Sequence, residues 1–146
     1  MKLTVIVPCH NEEGNIHPFL SRTENAVKEY DYRIIFVDDG STDGTLNVLK
    51  TLSATHPRIN YLSLSRNFGQ QMALKAGYDH ALYADCVVCM DADLQHPPEA
   101  IPAMVDKWAE GYEVVCGVRR EPERGATSFW NRLASRLFYR LINRFA

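Results

Sequence analysis

The 146-residue sequence has no uninterrupted apolar run near the roughly 18 residues that a transmembrane helix needs. No secretory signal is expected in it either, because the apolar run after Met1-Lys2 is too short for a signal core and predicts a strand. The glycine patterns G-x-G-x-x-G and G-x-x-x-x-G-K-[ST] are also missing, since residues 8–14 read PCHNEEG. The missing glycine patterns disfavour a dinucleotide dehydrogenase and a P-loop NTPase.

Cysteine is scarce, and its spacing predicts neither a zinc site nor a disulfide. Cys86 and Cys89 form a C-x-x-C pattern inside a predicted strand, where residues three apart face opposite sides. Two thiols that face apart neither chelate zinc nor close a disulfide without distortion. We therefore expect this pair to be small buried hydrophobic residues in a reducing cytosol.

Charge is unevenly distributed along the chain. The total charge is −2, but residues 119–146 hold seven arginines against two glutamates, a net charge of +5, so the preceding residues carry −7. With 46% hydrophobic and 23% charged residues, the composition is that of a soluble globular domain. A basic end on an acidic body predicts a local anionic partner at that end, and not nucleic-acid binding by the whole domain.

Short apolar segments alternate with amphipathic ones. Strands are predicted over Leu3–Pro8, Arg33–Val37, Ile59–Leu64, Cys86–Met90 and Glu113–Val118. Helices are predicted over 13–29, about 43–54, 70–83, 97–110 and 127–145. Strands that alternate with helices predict an α/β fold with a mostly parallel, doubly wound sheet flanked by helices. The mostly apolar strands indicate burial on both faces of that sheet.

The last predicted helix carries an apolar stripe beside a row of arginines. Arg132, Arg136, Arg140 and Arg144 recur every four residues, and aromatic residues contribute to the stripe. Such a basic amphipathic helix either docks on the core with a solvated edge or lies on an anionic membrane surface. The sequence leaves both interpretations open.

Polar residues follow each of the five predicted strands. These five segments are 8–12, Asp38-Asp39, Arg66-Asn67, Asp91-Ala92-Asp93 and Arg119-Arg120. The carboxyl ends of parallel strands share one edge of a sheet, and open sheets of this kind bind their ligands there. The sequence therefore predicts that the five segments converge on one site.

Asp91 and Asp93 end the predicted fourth strand and are expected to share a side, since side chains two apart on an extended strand point the same way. Two converging carboxylates suit Mg²⁺ or Mn²⁺, which predicts a phosphorylated, nucleotide-bound substrate. A plain loop with Asp93 as a turn former is the alternative. Asp38 and Asp39 also fit a strand-to-helix turn, although one of them is expected to bond backbone amides while the other faces the ligand.

Four segments together resemble glycosyltransferase family 2. They are residues 5–13 (VIVPCHNEE), 37–45 (VDDGSTDGT), 66–69 (RNFG) and 91–99 (DADLQHPPE), in that order. The most similar branch is the polyprenyl-phosphate group, which includes dolichol-phosphate mannose synthase and bactoprenol glucosyltransferase. The resemblance implies a GT-A (Rossmann-like) fold, an inverting and metal-dependent mechanism, and transfer of a hexose from a UDP- or GDP-sugar to undecaprenyl or dolichyl phosphate.

The resemblance also implies roles for particular residues. Contacts with the nucleotide are implied for Pro8, Asn11, Glu12, Asp38, Asp39 and Ala92. A Mg²⁺ or Mn²⁺ ion would be surrounded by Asp91, Asp93 and Gln95. The acceptor phosphate would be held by Arg119, Arg132 and Ser135, so that the catalytic set is Asp91, Asp93, Arg119 and Arg132.

The implied organisation is a nucleotide-sugar-binding core over residues 1–125 and an acceptor-side and membrane-side helix over 126–146, within one domain. We therefore expect a cytoplasmic protein, peripheral on the inner face of the membrane. Family members continue beyond this point, so the chain is expected to be the donor-binding part of a longer or truncated enzyme. Two alternatives are a family 2 transferase that acts on a polysaccharide hydroxyl and a nucleotide-sugar-binding module without activity.

Overall fold

The computed structural model describes residues 1–118. The chain divides into two units, Met1–Val115 and Cys116–Ala146, and every described helix and strand belongs to the first. The predicted basic helix over 127–145 lies outside the described residues. So do three residues of the implied acceptor and catalytic sets, which are Arg119, Arg132 and Ser135.

Strands and helices alternate through residues 2–109, as predicted. The strands are β1 (Lys2–Cys9), β2 (Asp31–Asp38), β3 (Ile59–Ser63) and β4 (Cys86–Cys89). The helices are α1 (Glu13–Val27), α2 (Thr45–Thr55), α3 (Gln70–His80) and α4 (Ile101–Ala109), with a 3₁₀ turn at Pro98–Ala100 before α4. Within residues 1–118, none of these helices has the length and apolar character needed to cross a bilayer.

Neighbouring strands of the sheet pair in parallel, in the order β3-β2-β1-β4. The chain moves outward from β1 to β2 and β3, and then returns to the other side of β1 with β4. This reversal leaves a crevice at the carboxyl ends of β1 and β4, which is where open α/β sheets bind ligands. The predicted doubly wound parallel sheet is confirmed for the described part of the chain.

The two faces of the sheet form separate cores. Val5 of β1 points to the face covered by α1, α2 and α4, where Phe19 of α1 meets Phe36 of β2 edge to face, with ring centroids 6.2 Å apart. Ile6 points to the opposite face, which α3 covers. Gly77 of α3 lies directly against Ile6, because a Cβ at this glycine would overlap the isoleucine side chain. Burial on both faces explains why the strands are apolar throughout.

Cys86 and Cys89 face opposite sides of β4, as predicted. Cys86 is buried in the core under α1 and α4, and the half-buried Cys89 packs on the α3 side. Both are free thiols, and burial raises the pKa of each. The pair is therefore neither a disulfide nor a zinc site.

The predicted fifth strand, Glu113–Val118, is wrong. The structure assigns no strand to these residues, and Val114 and Val118 are 79% and 87% exposed. Their apolar, β-branched character favours an extended chain locally, but a strand exists only where a neighbouring strand pairs with it. Within residues 1–118, β4 pairs with β1 alone.

A bidentate ion pair joins α1 to the turn before α4. Arg22 Nε and Nη2 donate to Glu99 Oε1 and Oε2 at 2.8 and 2.7 Å. Hydrogen bonding from Arg22 is the main reason that the pKa of Glu99 falls from 4.5 to about 2. Because folding favours the ionised carboxylate, the pair stabilises the fold above about pH 4.5, and this contribution is lost as the pH falls toward 2.

We therefore expect Glu99→Gln to lower the melting temperature slightly at pH 7, by an amount that shrinks steadily between pH 5 and pH 2.5. The effect is small and falls with added salt, because both side chains are substantially exposed. Thermal melts of both proteins across this pH range measure it. A difference that stays constant down to pH 2.5 would contradict the lowered pKa.

Candidate functional site

A cavity of about 250 Å³ opens at the carboxyl ends of β1 and β4. Four separate chain segments, one at the end of each strand, form its wall: Pro8, Cys9, His10 and Glu12; Asp39; Asn67, Gly69 and Gln70; and Asp91, Ala92 and Asp93. The structure thus brings together four of the five segments that were expected to converge. The fifth, Arg119-Arg120, lies outside the described residues.

A larger cavity, of about 360 Å³, lies at the opposite edge of the sheet. Its wall includes Lys2, Asp31 and Arg58, which stand near the amino ends of β1, β2 and β3. Ligands of open parallel sheets bind at the carboxyl edge instead, and the smaller cavity is the one that gathers carboxylates from several loops. We therefore assign the candidate site to the smaller cavity.

Asp91 and Asp93 both line the cavity, but not for the reason expected. β4 ends at Cys89, and the two aspartates lie in the turn that follows, so extended-strand alternation does not align them. The backbone N–H of Gln95 donates to Asp93 Oδ1 at 2.9 Å, which makes Asp93 a turn former as well as a wall residue. Gln95, expected near the metal, is exposed and lies outside the cavity wall.

Asp91 also accepts a hydrogen bond from a residue on the other side of the cavity. Gln70 Nε2, at the first residue of α3, donates to Asp91 Oδ1 at 2.6 Å. The other oxygen, Asp91 Oδ2, accepts no hydrogen bond within residues 1–118. Sequence reasoning missed Gln70, although its position directly after the RNFG segment was a usable signal.

Asp38 and Asp39 are both buried and both bond backbone amides. Asp39, only 4% exposed, accepts from the N–H groups of Phe68 and Gly69 at 2.8 and 2.9 Å. Asp38 accepts from the N–H of Ser41 at 3.1 Å. Asp38 therefore bonds a backbone amide while Asp39 lines the cavity, and Asp39 also anchors a second loop, which the sequence did not predict.

Hydrogen bonds fix the orientation of His10 in the cavity wall. Its Nδ1 lies 2.8 Å from the carbonyl oxygen of Asp39, and its Nε2 lies 3.2 Å from Asn11 Nδ2. Since a carbonyl only accepts, Nδ1 carries the proton, and Nε2 accepts from the amide. Asn11 Oδ1 in turn accepts from the N–H of Thr42 at 2.8 Å, which ties the first loop to the second. Neither Asn11 nor Asp38 is part of the cavity wall.

Cys9 lies in the wall as an unreactive thiol. Its burial, followed by the negative charges of Glu12, Asp38 and Asp91, raises its pKa well above the ordinary value. The thiol donates to the carbonyl oxygen of Val7 at 3.4 Å. A protonated thiol is neither a nucleophile nor a metal ligand at neutral pH.

The cavity wall is strongly acidic. It contains the carboxylates of Glu12, Asp39, Asp91 and Asp93, and none of its described residues is lysine or arginine. An anionic ligand such as a diphosphate is repelled by such a wall unless a cation accompanies it. Asp91 and Asp93 offer the half-buried carboxylate oxygens that Mg²⁺ and Mn²⁺ prefer, so the residues present fit a divalent ion.

Two carboxylates alone do not complete such a site. Residues 1–118 contain no group of three or more His, Cys, Asp or Glu side chains arranged to hold a metal ion. An ion at Asp91 and Asp93 therefore needs further oxygens from a ligand or from water, as is usual for Mg²⁺ in sites that bind substrate phosphates.

Comparison with known proteins identifies relatives along the whole chain. The model of glycosyl transferase family 2 matches residues 4–146. The chain is 39% identical over 145 residues to the uncharacterised glycosyltransferase YkcC of Bacillus subtilis, and 38% identical over 146 residues to the uncharacterised glycosyltransferase sll0501 of Synechocystis. These alignments cover 98% and 99% of this chain but 44% and 45% of the relatives, so the chain spans less than half of their length.

Solved structures confirm the GT-A fold. The mannosyltransferase PcManGT from Pyrobaculum calidifontis, solved with GDP-Man and Mn²⁺, is 31% identical, with a TM-score of 0.62 over 73% of this chain and 31% of that one. Glucosyl-3-phosphoglycerate synthase from Mycobacterium tuberculosis is 22% identical, with a TM-score of 0.57 over 73% of this chain and 39% of that one. At this identity the comparison supports the fold alone. From the family match and the two bacterial relatives, the chain belongs to glycosyl transferase family 2.

Proposed function

We propose that this chain binds a UDP- or GDP-sugar together with Mg²⁺ or Mn²⁺, as the donor site of a hexosyltransferase. The observation that carries the proposal is the acidic cavity at the carboxyl edge of the sheet, where Asp91 and Asp93 face the same space. A divalent cation held by both aspartates makes this wall attractive to a diphosphate, which it otherwise repels. PcManGT, with the same fold, was solved with GDP-Man and Mn²⁺.

Each wall segment has a separate task in this proposal. Asp91 and Asp93 hold the ion, and when bound the ion neutralises the charge that develops on the departing diphosphate. Pro8 and Glu12 shape the nucleoside side of the cavity, and Ala92 forms its buried floor between the two aspartates. Asp39 contributes by holding the loop at Phe68 and Gly69 in place.

For the acceptor, we propose a polyprenyl phosphate. The second pKa of a phosphate monoester is about 6, so at neutral pH this acceptor is already anionic and needs positioning rather than a strong general base. The described wall fits that requirement, because the Cys9 thiol stays protonated and both ring nitrogens of His10 are engaged. The +5 charge of residues 119–146, including Arg119 and Arg132, supports an anionic acceptor and an anionic membrane surface.

A second candidate is a nucleotide-sugar-binding module that does not transfer the sugar by itself. The observation that favours it is length, since the chain spans 44% and 45% of the two bacterial relatives. Donor binding is common to both candidates. They differ only in whether a supplied acceptor is glycosylated.

Thermal melts test the donor site first. With Mn²⁺ and the correct nucleotide sugar, we expect the melting temperature to rise by roughly 8 °C at a donor concentration of 100 times Kd, because only the folded chain binds. Without the cation, the same sugars should give little shift. A screen of UDP- and GDP-sugars that finds no Mn²⁺-dependent shift would contradict the donor site.

The acceptor is tested on the same protein with undecaprenyl phosphate, dolichyl phosphate and oligosaccharides. Glycosylation of a lipid phosphate is the expected result. Donor binding without turnover on any acceptor favours the binding module, and turnover on oligosaccharides alone would refute the polyprenyl phosphate proposal.

A further inference from the structure

We infer that Gln70 is a positioning residue for the metal site, because its amide determines which oxygen of Asp91 is available to the cation. The inference rests on the proposed function, in which Asp91 and Asp93 hold a divalent ion. Gln70 Nε2 donates to Asp91 Oδ1 at 2.6 Å, and both side chains line the same cavity. Asp91 Oδ2, which has no hydrogen-bond partner within residues 1–118, is left for the ion.

The position of Gln70 is itself fixed by a buried anchor. The residue opens α3 directly after Gly69, whose N–H donates to Asp39 Oδ2 at 2.9 Å, and the preceding N–H of Phe68 donates to Asp39 Oδ1 at 2.8 Å. Asp39 is 4% exposed, so these bonds to a charged acceptor are shielded from water. The end of β2 thus holds the start of α3.

The rest of α3 keeps that anchor rigid. Ala73, one turn after Gln70, is fully buried, and Gly77 packs against Ile6 of β1. The Gln70 side chain thus reaches across the cavity to Asp91 from a helix whose next turns are packed against the sheet. A continuous set of bonds therefore runs from Asp39 through the loop and Gln70 to the proposed metal ligand.

The chemistry of glutamine suits this task. Its amide donates a hydrogen bond without adding charge, so it orients the Asp91 carboxylate and leaves the full negative charge for a cation. Hydrogen bonds to the outer oxygen of a ligating carboxylate are the usual way in which proteins orient metal ligands, and their loss weakens metal affinity by roughly 10–100-fold.

The alternative is that the Gln70–Asp91 bond is an ordinary surface hydrogen bond that supports the fold. Measurements of thermal stability and of the affinity for Mn²⁺ distinguish the two roles. Loss of a surface bond lowers the melting temperature in EDTA and leaves the affinity for Mn²⁺ unchanged, whereas loss of a positioning bond lowers the affinity.

The experiment is titration of the full chain with Mn²⁺ alone, followed by electron paramagnetic resonance of the free ion, with melts in EDTA in parallel. Gln70→Leu removes the donor, and Gln70→Asn, the second variant, keeps an amide that is one methylene too short to reach. Gln71→Leu is the matched control, because Gln71 is the exposed next residue of α3 and lies outside the cavity wall.

We expect both Gln70 variants to weaken Mn²⁺ binding by roughly 10-fold or more, with Gln71→Leu within twofold of the unaltered chain. In an Asp91→Asn background, Gln70→Leu should add almost nothing, because the carboxylate that it orients is gone. If the unaltered chain binds Mn²⁺ and the folded Gln70 variants bind it equally well, this inference is overturned and the proposed function stands. If the unaltered chain does not bind Mn²⁺ alone, the titration is repeated with UDP or GDP present, which can supply the further oxygens that the ion needs, and absence of binding there overturns both.

Discussion

Asp91→Asn is expected to weaken Mn²⁺-dependent binding of the nucleotide sugar by at least about 100-fold, since it removes a direct ligand rather than a supporting bond. Asparagine keeps the size of the side chain and an oxygen that can accept from Gln70 Nε2, so the fold should remain intact. The negative charge is lost, however, and with it most of the attraction for a divalent cation in this cavity. Isothermal titration calorimetry with the donor, with and without Mn²⁺, measures the loss.

Asp106→Asn is the matched control for this experiment. Asp106 is an exposed aspartate on α4, and its carboxylate lies outside the cavity wall. The same change of charge at this position should leave donor binding unaltered. Full Mn²⁺-dependent binding by the Asp91 variant would refute the donor site itself, because no other pair of carboxylates in the described wall shares one turn.

Gly40→Ala is expected to destabilise the fold by about 2–5 kcal/mol. Gly40 has a φ of 65°, and a Cβ at this position would overlap backbone atoms of Arg66 and Asn67. The left-handed conformation costs an alanine roughly 1–2 kcal/mol, and forcing extra volume against backbone that cannot rotate away costs roughly 1–3 kcal/mol more. Urea denaturation measures the sum. Since Asn67 lines the cavity, donor binding should weaken as well.

Substitutions at two other glycines separate the conformational cost from the cost of steric overlap. Gly69 has a φ of 91° and a ψ of 154°, a conformation that is essentially confined to glycine, with nothing near its Cβ position, so Gly69→Ala should cost a conformational term alone, about 1–3 kcal/mol. Gly14 lies in α1 with open space around it, and Gly14→Ala should stabilise the chain by about 0.5–1 kcal/mol. A loss of no more than about 1–2 kcal/mol for Gly40→Ala, the conformational cost alone, would show that the loop at Arg66 yields freely.

Local sequence patterns predicted the described helices and strands to within three residues at each end, except that α4 begins at Ile101, after a 3₁₀ turn, rather than at residue 97. The helix α3 ends at His80 rather than Tyr83, because Leu82 and Tyr83 are apolar in type but 80% and 86% exposed. The prediction of a strand at Glu113–Val118 was wrong for a related reason. The type of a side chain indicates a preference for helix or strand, whereas burial and strand pairing depend on which other segments of the chain pack next to it.

The site was predictable in outline because the carboxyl ends of parallel strands meet at one edge. Its details were not predictable. Asp91 and Asp93 converge through a turn rather than along a strand, and Asp39 anchors the amides of a loop that is distant in sequence, whereas Asp38 binds the amide of nearby Ser41. The predicted nucleotide contacts of Asn11 and Asp38 stay predictions, as do the roles of Arg119, Arg132 and Ser135.

The order of residue types was enough to establish the α/β class, the edge that carries the chemistry and the acidic groups found there, because each follows from periodicity and from chain direction. The strand order β3-β2-β1-β4, the buried carboxylate of Asp39 and the bond between Gln70 and Asp91 emerged only in three dimensions. Hydrogen bonds between residues 21 or more positions apart depend on how closely packed helices and strands approach one another, and that distance is set by the whole core.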